Sequence, residues 1–151
     1  MKVIYIAGKY RGHNAWAVEQ NIRAAEEVAA RVLQMGMMPL CPHSNTRHMD
    51  GLAPDEFFLA GTLELMRRCD AVLLVPNWRD SAGARAEVDE ADRLGIPVFG
   101  REPLDFEPDG STLDWGVSML GIWAEKGPVD AASFAGVPHH AVVVRARESL
   151  P

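Results

Sequence analysis

The sequence predicts a single α/β domain whose parallel sheet carries helices on both faces. Short apolar runs rich in Val, Ile and Leu alternate with longer segments of helical periodicity, and the connections between them are short. This alternation is typical of parallel sheets with right-handed crossovers. A length of 151 residues is that of one domain. We therefore predict one domain over residues 1–151, with a core over 1–100 and a C-terminal helix and candidate edge strand within 101–151.

Four apolar segments are the predicted strands of this sheet. They cover residues 2–7, 37–41, 70–76 and 96–100. The third is the strongest, because it is continuous, apolar and closed by Pro76. Residues 141–145 are a candidate for a last strand, at the sheet edge or against a partner.

The predicted helices lie between these strands. Residues 14–35 place Val18, Ile22, Ala25 and Val32 on one helical face, and Gly36 follows as a stop. Further helices are predicted over 54–68, 82–94 and 115–125, with a loop over 42–54 and a turn over 77–81.

Composition and charge exclude several classes of function. The net charge is −6 and no basic stripe is visible, so we expect no nucleic-acid polymer as partner. The two cysteines, Cys41 and Cys69, do not form a CxxC pair, so we expect buried thiols, no metal and no cofactor. No apolar run is long enough to cross a bilayer, and the first residues resemble a strand rather than a signal peptide, so a cytoplasmic protein is expected.

Ligands of such sheets bind beyond the carboxyl ends of the strands, where the strand order switches. Three loops occupy that edge, at residues 8–13, 41–54 and 76–83. In the third, Ser81 is placed to cap a helix whose free amides favour an anion such as phosphate. Gly83 leaves room for a ligand, and Glu87 lies one turn further on the same face. The alternative is a capped helix with a surface glutamate, although a capping box would place the glutamate where Ala84 stands.

The first loop brackets Lys9 and Arg11 between Gly8 and Gly12. It is not a GxGxxG fingerprint, so a dinucleotide is not predicted. The loop is either an anion site with Lys9 or Arg11 as donor, or a plain turn with solvated charges.

Two further side chains lie at the predicted ligand edge. His43 is placed to contact a ligand or to transfer a proton, or it is only a polar surface residue. Trp78 is placed either to stack on a base or to cover the sheet edge.

Four segments in chain order together resemble the nucleoside 2-deoxyribosyltransferase superfamily and, within it, the 2′-deoxynucleoside 5′-phosphate N-hydrolases. They are Tyr5-x-x-Gly8-x-x-Arg11-Gly12, the histidine at His43, the stretch from Thr62-Leu63-Glu64 to Cys69-Asp70-Ala71-Val72, and Ser81-x-Gly83-x-x-x-Glu87. The resemblance covers roughly residues 3 to 100 and implies a three-layer, flavodoxin-like fold (a Rossmann-like sheet), a homodimer or higher homo-oligomer, and no metal.

The resemblance also implies roles for individual residues. Glu87 would be the nucleophile on the anomeric carbon of a nucleoside or nucleoside 5′-monophosphate, and Tyr5 would orient its carboxylate. Ser81 and the first loop would hold the 5′-phosphate. The reaction would be N-glycosidic bond cleavage by hydrolysis or deoxyribosyl transfer.

One position departs from the family. Thr62 stands where the family has an aspartate that helps to protonate the leaving base, and threonine is not an acid. Asp55, two turns earlier on the same helix face, and His43 are the candidate substitutes. The alternative function is a nucleotide-binding module that has lost the acid. A third interpretation is a partner-binding domain based on Trp115, Met119 and Trp123, which equally fit a dimer face.

Overall fold

Residues 1–101 and 111–127 are described by the computed structural model. Within them, four parallel strands form one sheet in the order β2-β1-β3-β4. The strands are β1 (Val3–Ala7), β2 (Met38–Leu40), β3 (Ala71–Leu74) and β4 (Val98–Phe99). This is the strand order of flavodoxin-like folds, so the predicted fold class is confirmed.

The sheet register places the ligand edge. Tyr5 of β1 pairs with Leu40 of β2 on one side and with Val72 of β3 on the other. The chain leaves β1 towards β2 and later returns to β3 on the opposite side, so the strand order switches beside β1. The loops after β1 and β3 therefore open side by side into one crevice.

Five helices accompany the sheet in the described residues: α1 (Ala15–Gln34), α2 (Pro42–Asn45), α3 (Asp55–Met66), α4 (Ala82–Leu94) and α5 (Ser111–Lys126). Local signals explain several of their ends. The Asn14 side chain accepts a hydrogen bond from the amide of Ala17 at the start of α1. Gly95 adopts a left-handed conformation, with φ of 69°, and ends α4.

The side chains of β1 alternate between two cores, as the period of a strand requires. Ile4 and Ile6 pack with the buried faces of α1 and α5. Tyr5 and Ala7 face the opposite side and pack in a second cluster that includes Met66 of α3 and α4 residues such as Ala84. The sheet therefore has helices on both faces, as predicted.

The structure corrects the sequence interpretation at two places. Residues 42–54 were expected to be a loop but begin with the one-turn helix α2, because Pro42 suits the first helical position. The expected turn over 77–81 contains a short 3-10 helix, Trp78–Asp80. Trp123, one of the candidates for a partner or dimer face, is partly buried and packs on the first core, with its ring 5.6 Å from that of Phe99.

The candidate strand over residues 141–145 lies outside the described residues. Among the helices that are described, none combines the length and the apolar character needed to cross a bilayer.

Candidate active site

A cavity of about 520 Å³ opens at the carboxyl ends of the strands. The loop after β1 lines it through Gly8 and Arg11, α2 through His43, α3 through Thr62, and the start of α4 through residues Ser81 to Ala84 and Glu87. The three loops singled out in the sequence therefore meet at one site. A cavity of this size suits a ligand of nucleoside dimensions.

Glu87 lies at the inner wall of this cavity and is only 7% exposed. The hydroxyl of Tyr5, itself fully buried, donates a hydrogen bond of 2.5 Å to Oε1 of Glu87. Burial raises the pKa of Glu87 to about 7, and hydrogen bonds from Tyr5 and Thr62 act in the opposite direction. Burial, followed by the charge of Glu87, raises the pKa of Tyr5 well above its usual value. The pair therefore combines a carboxyl group that titrates near neutral pH with a phenol that stays protonated.

Thr62 lies beside this pair on α3. Its hydroxyl donates a hydrogen bond of 3.1 Å to the carbonyl of Leu59, and the proximity of Thr62 lowers the pKa of Glu87. The position that departs from the family pattern is therefore in the site, and it presents a hydroxyl to Glu87. A hydroxyl can orient a carboxylate but is not a general acid at neutral pH.

The N-terminus of α4 forms another wall of the cavity. The Ser81 hydroxyl oxygen accepts a hydrogen bond of 3.2 Å from the amide of Ala84, which confirms the predicted cap. The amides of Ala82 and Gly83 precede the first intrahelical hydrogen bonds. A β-carbon added at Gly83 would meet no atom closer than 3.7 Å, so this wall is open to a ligand.

The two glycines of the first loop both permit close packing. A β-carbon at Gly8 would lie 2.7 Å from Cβ of Val75, so Gly8 permits close packing against the end of β3 while it lines the cavity. A β-carbon at Gly12 would lie 2.6 Å from that of Ala17. Gly12 does not line the cavity. Gly12 thus permits the close packing of the loop against α1, and a contact of Gly12 with the ligand stays a prediction.

Arg11 is not a free anion donor. Its guanidinium pairs with Asp50 at 2.7 Å and with Asp55 at the start of α3. The hydroxyl of Tyr10 donates to the same Asp50 at 2.8 Å. These ion pairs correct two predictions: the arginine expected to hold a phosphate holds carboxylates, and Asp55, which is 70% exposed, lies at the rim in an ion pair rather than beside Glu87 as its acid. Asp50 was not predicted, because no motif marks it. Its position in the loop after β2 is the only sequence feature that places it near the ligand edge.

Lys9 and His43 meet behind the first loop. The Lys9 amide donates to Oδ1 of Asn77 at 3.0 Å, and its carbonyl lies 3.2 Å from Nε2 of His43. His43 is only 4% exposed, and this burial lowers the pKa of the imidazole, so the neutral ring donates its Nε2 proton to Lys9. Nδ1 is then an acceptor, and it has no hydrogen-bond partner among the described residues. The ring lines the cavity, and the role of His43 as a substitute acid stays a prediction.

Trp78 is only 8% exposed and packs in the second core cluster. The guanidinium of Arg79 lies 4.7 Å from the centre of its ring. Trp78 does not line the cavity, and its burial favours the alternative in which it covers the sheet edge, so base stacking stays a prediction. The apolar wall is supplied by Met49, Phe58 and Leu59, which no sequence motif singled out.

Fold and site together define an α/β protein with a ligand cavity at the switch point of a parallel sheet. Residues 2–101 match the family described as "Domain of unknown function (DUF7768)". Because the match covers most of the chain, the chain belongs to this family. No protein with a curated description matches the sequence.

Solved structures with a similar fold include two enzymes. One is a 2-desoxiribosyltransferase from Leishmania mexicana, with 23% identity and a TM-score of 0.46 over 66% of this chain and 63% of that chain. The other is a 2-deoxyribosyltransferase from the psychrotolerant bacterium Bacillus psychrosaccharolyticus, with 19% identity and a TM-score of 0.48 over 87% and 94% of the two chains. This chain thus spans less than two thirds of the Leishmania protein, and at these identities the likeness concerns the fold alone.

Proposed function

We propose that this chain cleaves the N-glycosidic bond of a nucleoside, with Glu87 as the nucleophile at the anomeric carbon. The observation that carries the proposal is the buried hydrogen bond of 2.5 Å from Tyr5 to Glu87 at the wall of a nucleoside-sized cavity. A buried carboxyl group with a perturbed pKa in such a cavity is a typical catalytic group.

The chemistry follows from the geometry of Glu87. Its ionised oxygen attacks C1′, the C1′–N bond breaks, and the bond's electron pair goes to the base nitrogen, which takes up a proton from water. The resulting glycosyl ester is released when water, or the nitrogen of a second base, attacks C1′ and gives its proton to solvent. Tyr5 orients the carboxylate through its hydroxyl group. Because the pKa of Glu87 is about 7, a substantial fraction is ionised at neutral pH.

The sugar is the part of the ligand that fits the N-terminus of α4. The Ser81 hydroxyl and the open amides of Ala82 and Gly83 can bind sugar hydroxyls or a 5′-phosphate. The neighbouring charges favour sugar hydroxyls over a phosphate, because the guanidinium of Arg11 is paired with Asp50 and Asp55. An unphosphorylated nucleoside is therefore the preferred substrate in this proposal, and a nucleoside 5′-monophosphate is the weaker one.

The resemblance also predicts a homodimer, and analytical ultracentrifugation measures this oligomeric state directly.

A second candidate function is a nucleotide-binding module without catalysis. One observation favours it: the residue beside Glu87 on α3 is Thr62, which cannot protonate a leaving base. Such a module would bind nucleosides in the cavity and release no base.

The test separates these functions. The purified protein is incubated with nucleosides and nucleoside 5′-monophosphates, and free base is measured by chromatography. In parallel, 2′-fluoro-2′-deoxynucleosides, whose glycosyl esters hydrolyse slowly, are used to trap the covalent intermediate, which intact-protein and peptide mass spectrometry should locate on Glu87. Binding with neither base release nor a labelled Glu87 would establish the module instead.

A further inference from the structure

The charge of the cavity does not match an anionic ligand. Five carboxyl groups line it, against the two basic side chains of Lys9 and Arg11; the carboxyl groups are those of Asp50, Asp55, Glu56, Asp80 and Glu87. Arg11 is neutralised by its contacts with Asp50 and Asp55. The described lining is therefore net negative, and a cavity with this charge attracts cations.

In the described structure, no carboxyl group lies next to Glu87 on α3 to protonate a leaving base, because Thr62 stands there. A neutral base leaves C1′ with an electron pair and needs a proton, and general acids supply rate factors of about 10²–10⁴ for such steps. In the described part of the chain, the Tyr5 hydroxyl donates a hydrogen bond to Glu87, whereas the Thr62 hydroxyl donates to the carbonyl of Leu59. Asp55 is tied to Arg11 at the rim, and the Nε2 proton of His43 is donated to Lys9.

One further feature fits a flat base. Met49, Phe58 and Leu59 provide an apolar wall for the faces of a ring.

We infer that the substrates of this site are nucleosides whose base carries a fixed positive charge, such as N-alkylated purinium or pyridinium ribosides or deoxyribosides. This inference rests on the proposed function of Glu87. When the C1′–N⁺ bond breaks, its electron pair neutralises the ring nitrogen, and the base leaves without a proton. Glu87 holds the glycosyl group as an ester until water attacks C1′, which restores the carboxylate and releases one proton to solvent.

The decisive comparison uses two substrates that differ in charge and little in shape. Nicotinamide riboside carries a pyridinium, and its 1,4-dihydro form is neutral with the same sugar and carboxamide. Each rate is divided by the rate of the same compound in buffer, because the cationic bond is intrinsically weaker. At pH 8 we expect the enhancement for the cation to exceed that for the neutral form by about 10²-fold. A rate enhancement for the neutral form that equals or exceeds that for the cation would overturn the inference. In that case, loss of base release in Glu87→Gln would still support the proposed function.

A gain-of-function variant tests the missing acid. Thr62→Asp introduces a carboxyl group beside Glu87, and Thr62→Asn introduces a side chain of similar size without an acid. We expect Thr62→Asp to raise the ratio of neutral to cationic turnover about tenfold or more, and Thr62→Asn to leave that ratio low. If the wild type already has the same ratio of neutral to cationic turnover as Thr62→Asp, another residue of the protein supplies the proton. That result contradicts the inference.

Binding separates the failure of the two proposals. Calorimetry with nicotinamide riboside should show tighter binding than with the neutral form, and Asp80→Asn should weaken binding of the cation and leave the neutral form unaffected. If the cation is preferred but no base is released, the proposed catalysis fails and the charge selectivity stands. If the neutral form or a nucleoside 5′-monophosphate binds more tightly than the cation, the charge selectivity is wrong whether or not base is released.

Discussion

Tyr5 and Glu87 are 82 positions apart in the chain, yet a 2.5 Å hydrogen bond joins their side chains in a buried setting. Tyr5 is on the central strand β1, facing away from the first core, and Glu87 is on the second turn of α4. The parallel pairing of β1 with β3 brings the two elements together, because α4 follows β3 and packs on the side of the sheet that Tyr5 faces. The pair is thus a product of the sheet topology and not of any local segment.

The first prediction concerns the nucleophile. Glu87→Gln and Glu87→Ala should lower base release to the rate in buffer, because no other described side chain occupies the position of the carboxylate. Glu90→Gln is the matched control: it lies on the same helix, pairs with Arg67 and Arg93, and does not line the cavity. It should keep the wild-type rate. Steady-state turnover of Glu87→Gln within threefold of the wild type would reject the covalent mechanism.

The second prediction concerns the pH dependence of turnover. If ionised Glu87 attacks, kcat/KM rises with pH through about 7, the pKa of this carboxyl group. Tyr5→Phe removes a hydrogen bond that lowers this pKa, so the inflection should move to higher pH and the rate at pH 7 should fall roughly 10- to 100-fold. Tyr10→Phe removes a hydroxyl that contacts Asp50 instead, and its inflection should stay in place. An unmoved inflection in Tyr5→Phe would exclude Glu87 as the titrating group.

The third prediction concerns the pH dependence of stability. Burial raises the pKa of Glu87 from 4.5 to about 7 on folding, so its contribution to the free energy of unfolding is full below pH 4.5 and is lost as the pH rises through about 7. The loss amounts to about 3 kcal/mol. The glutamine of Glu87→Gln cannot ionise. The free energy of unfolding in urea of the wild type, minus that of the variant, should therefore fall by about 3 kcal/mol as the pH rises from 4.5 through about 7. A difference that is flat with pH would mean that Glu87 is solvated in the folded protein.

The fourth prediction concerns phosphate. With Arg11 engaged by Asp50 and Asp55, the wild type should bind a nucleoside 5′-monophosphate no more tightly than the nucleoside. The double variant Asp50→Asn/Asp55→Asn frees the guanidinium and should improve monophosphate binding about tenfold. Adding Arg11→Ala to the double variant should remove the gain. Calorimetry measures all these affinities. If the wild type already binds the monophosphate more tightly than the nucleoside, the ion pairs of Arg11 do not prevent phosphate binding.

The fifth prediction concerns the packing of the first loop. Gly8→Ala forces a β-carbon to within 2.7 Å of Val75 and should lower the free energy of unfolding by about 1–3 kcal/mol. Gly61→Ala is the control, since Gly61 lies within α3 and has no atom within 4 Å of an added β-carbon. It should stabilise the protein by about 0.5–1 kcal/mol through helix propensity. Thermal or urea unfolding measures both, and equal effects would show that Gly8 is not closely packed.

The fold class and most of the helices and strands follow from local sequence patterns. Continuous apolar runs mark β1 and β3, and the helical periodicity of residues 14–35 marks α1, because each depends on which faces of one element are buried. Ser81 and Gly95 marked the ends of α4 for a similar reason, since capping acts within one turn. The three loops of the cavity also followed, because the carboxyl ends of parallel strands always share one edge.

The chemical state of the side chains at that edge depends on the tertiary fold. The first loop offers Arg11 for phosphate, but Asp50 and Asp55, which are 39 and 44 positions away, pair with it in the folded chain. The sequence places His43 and Trp78 at the ligand edge of the sheet, and the structure buries both. Ion pairing and desolvation depend on the distances between groups that the chain brings together from remote segments. The sequence therefore predicts where the site lies, and the packing of the folded chain decides which of its groups are free to act.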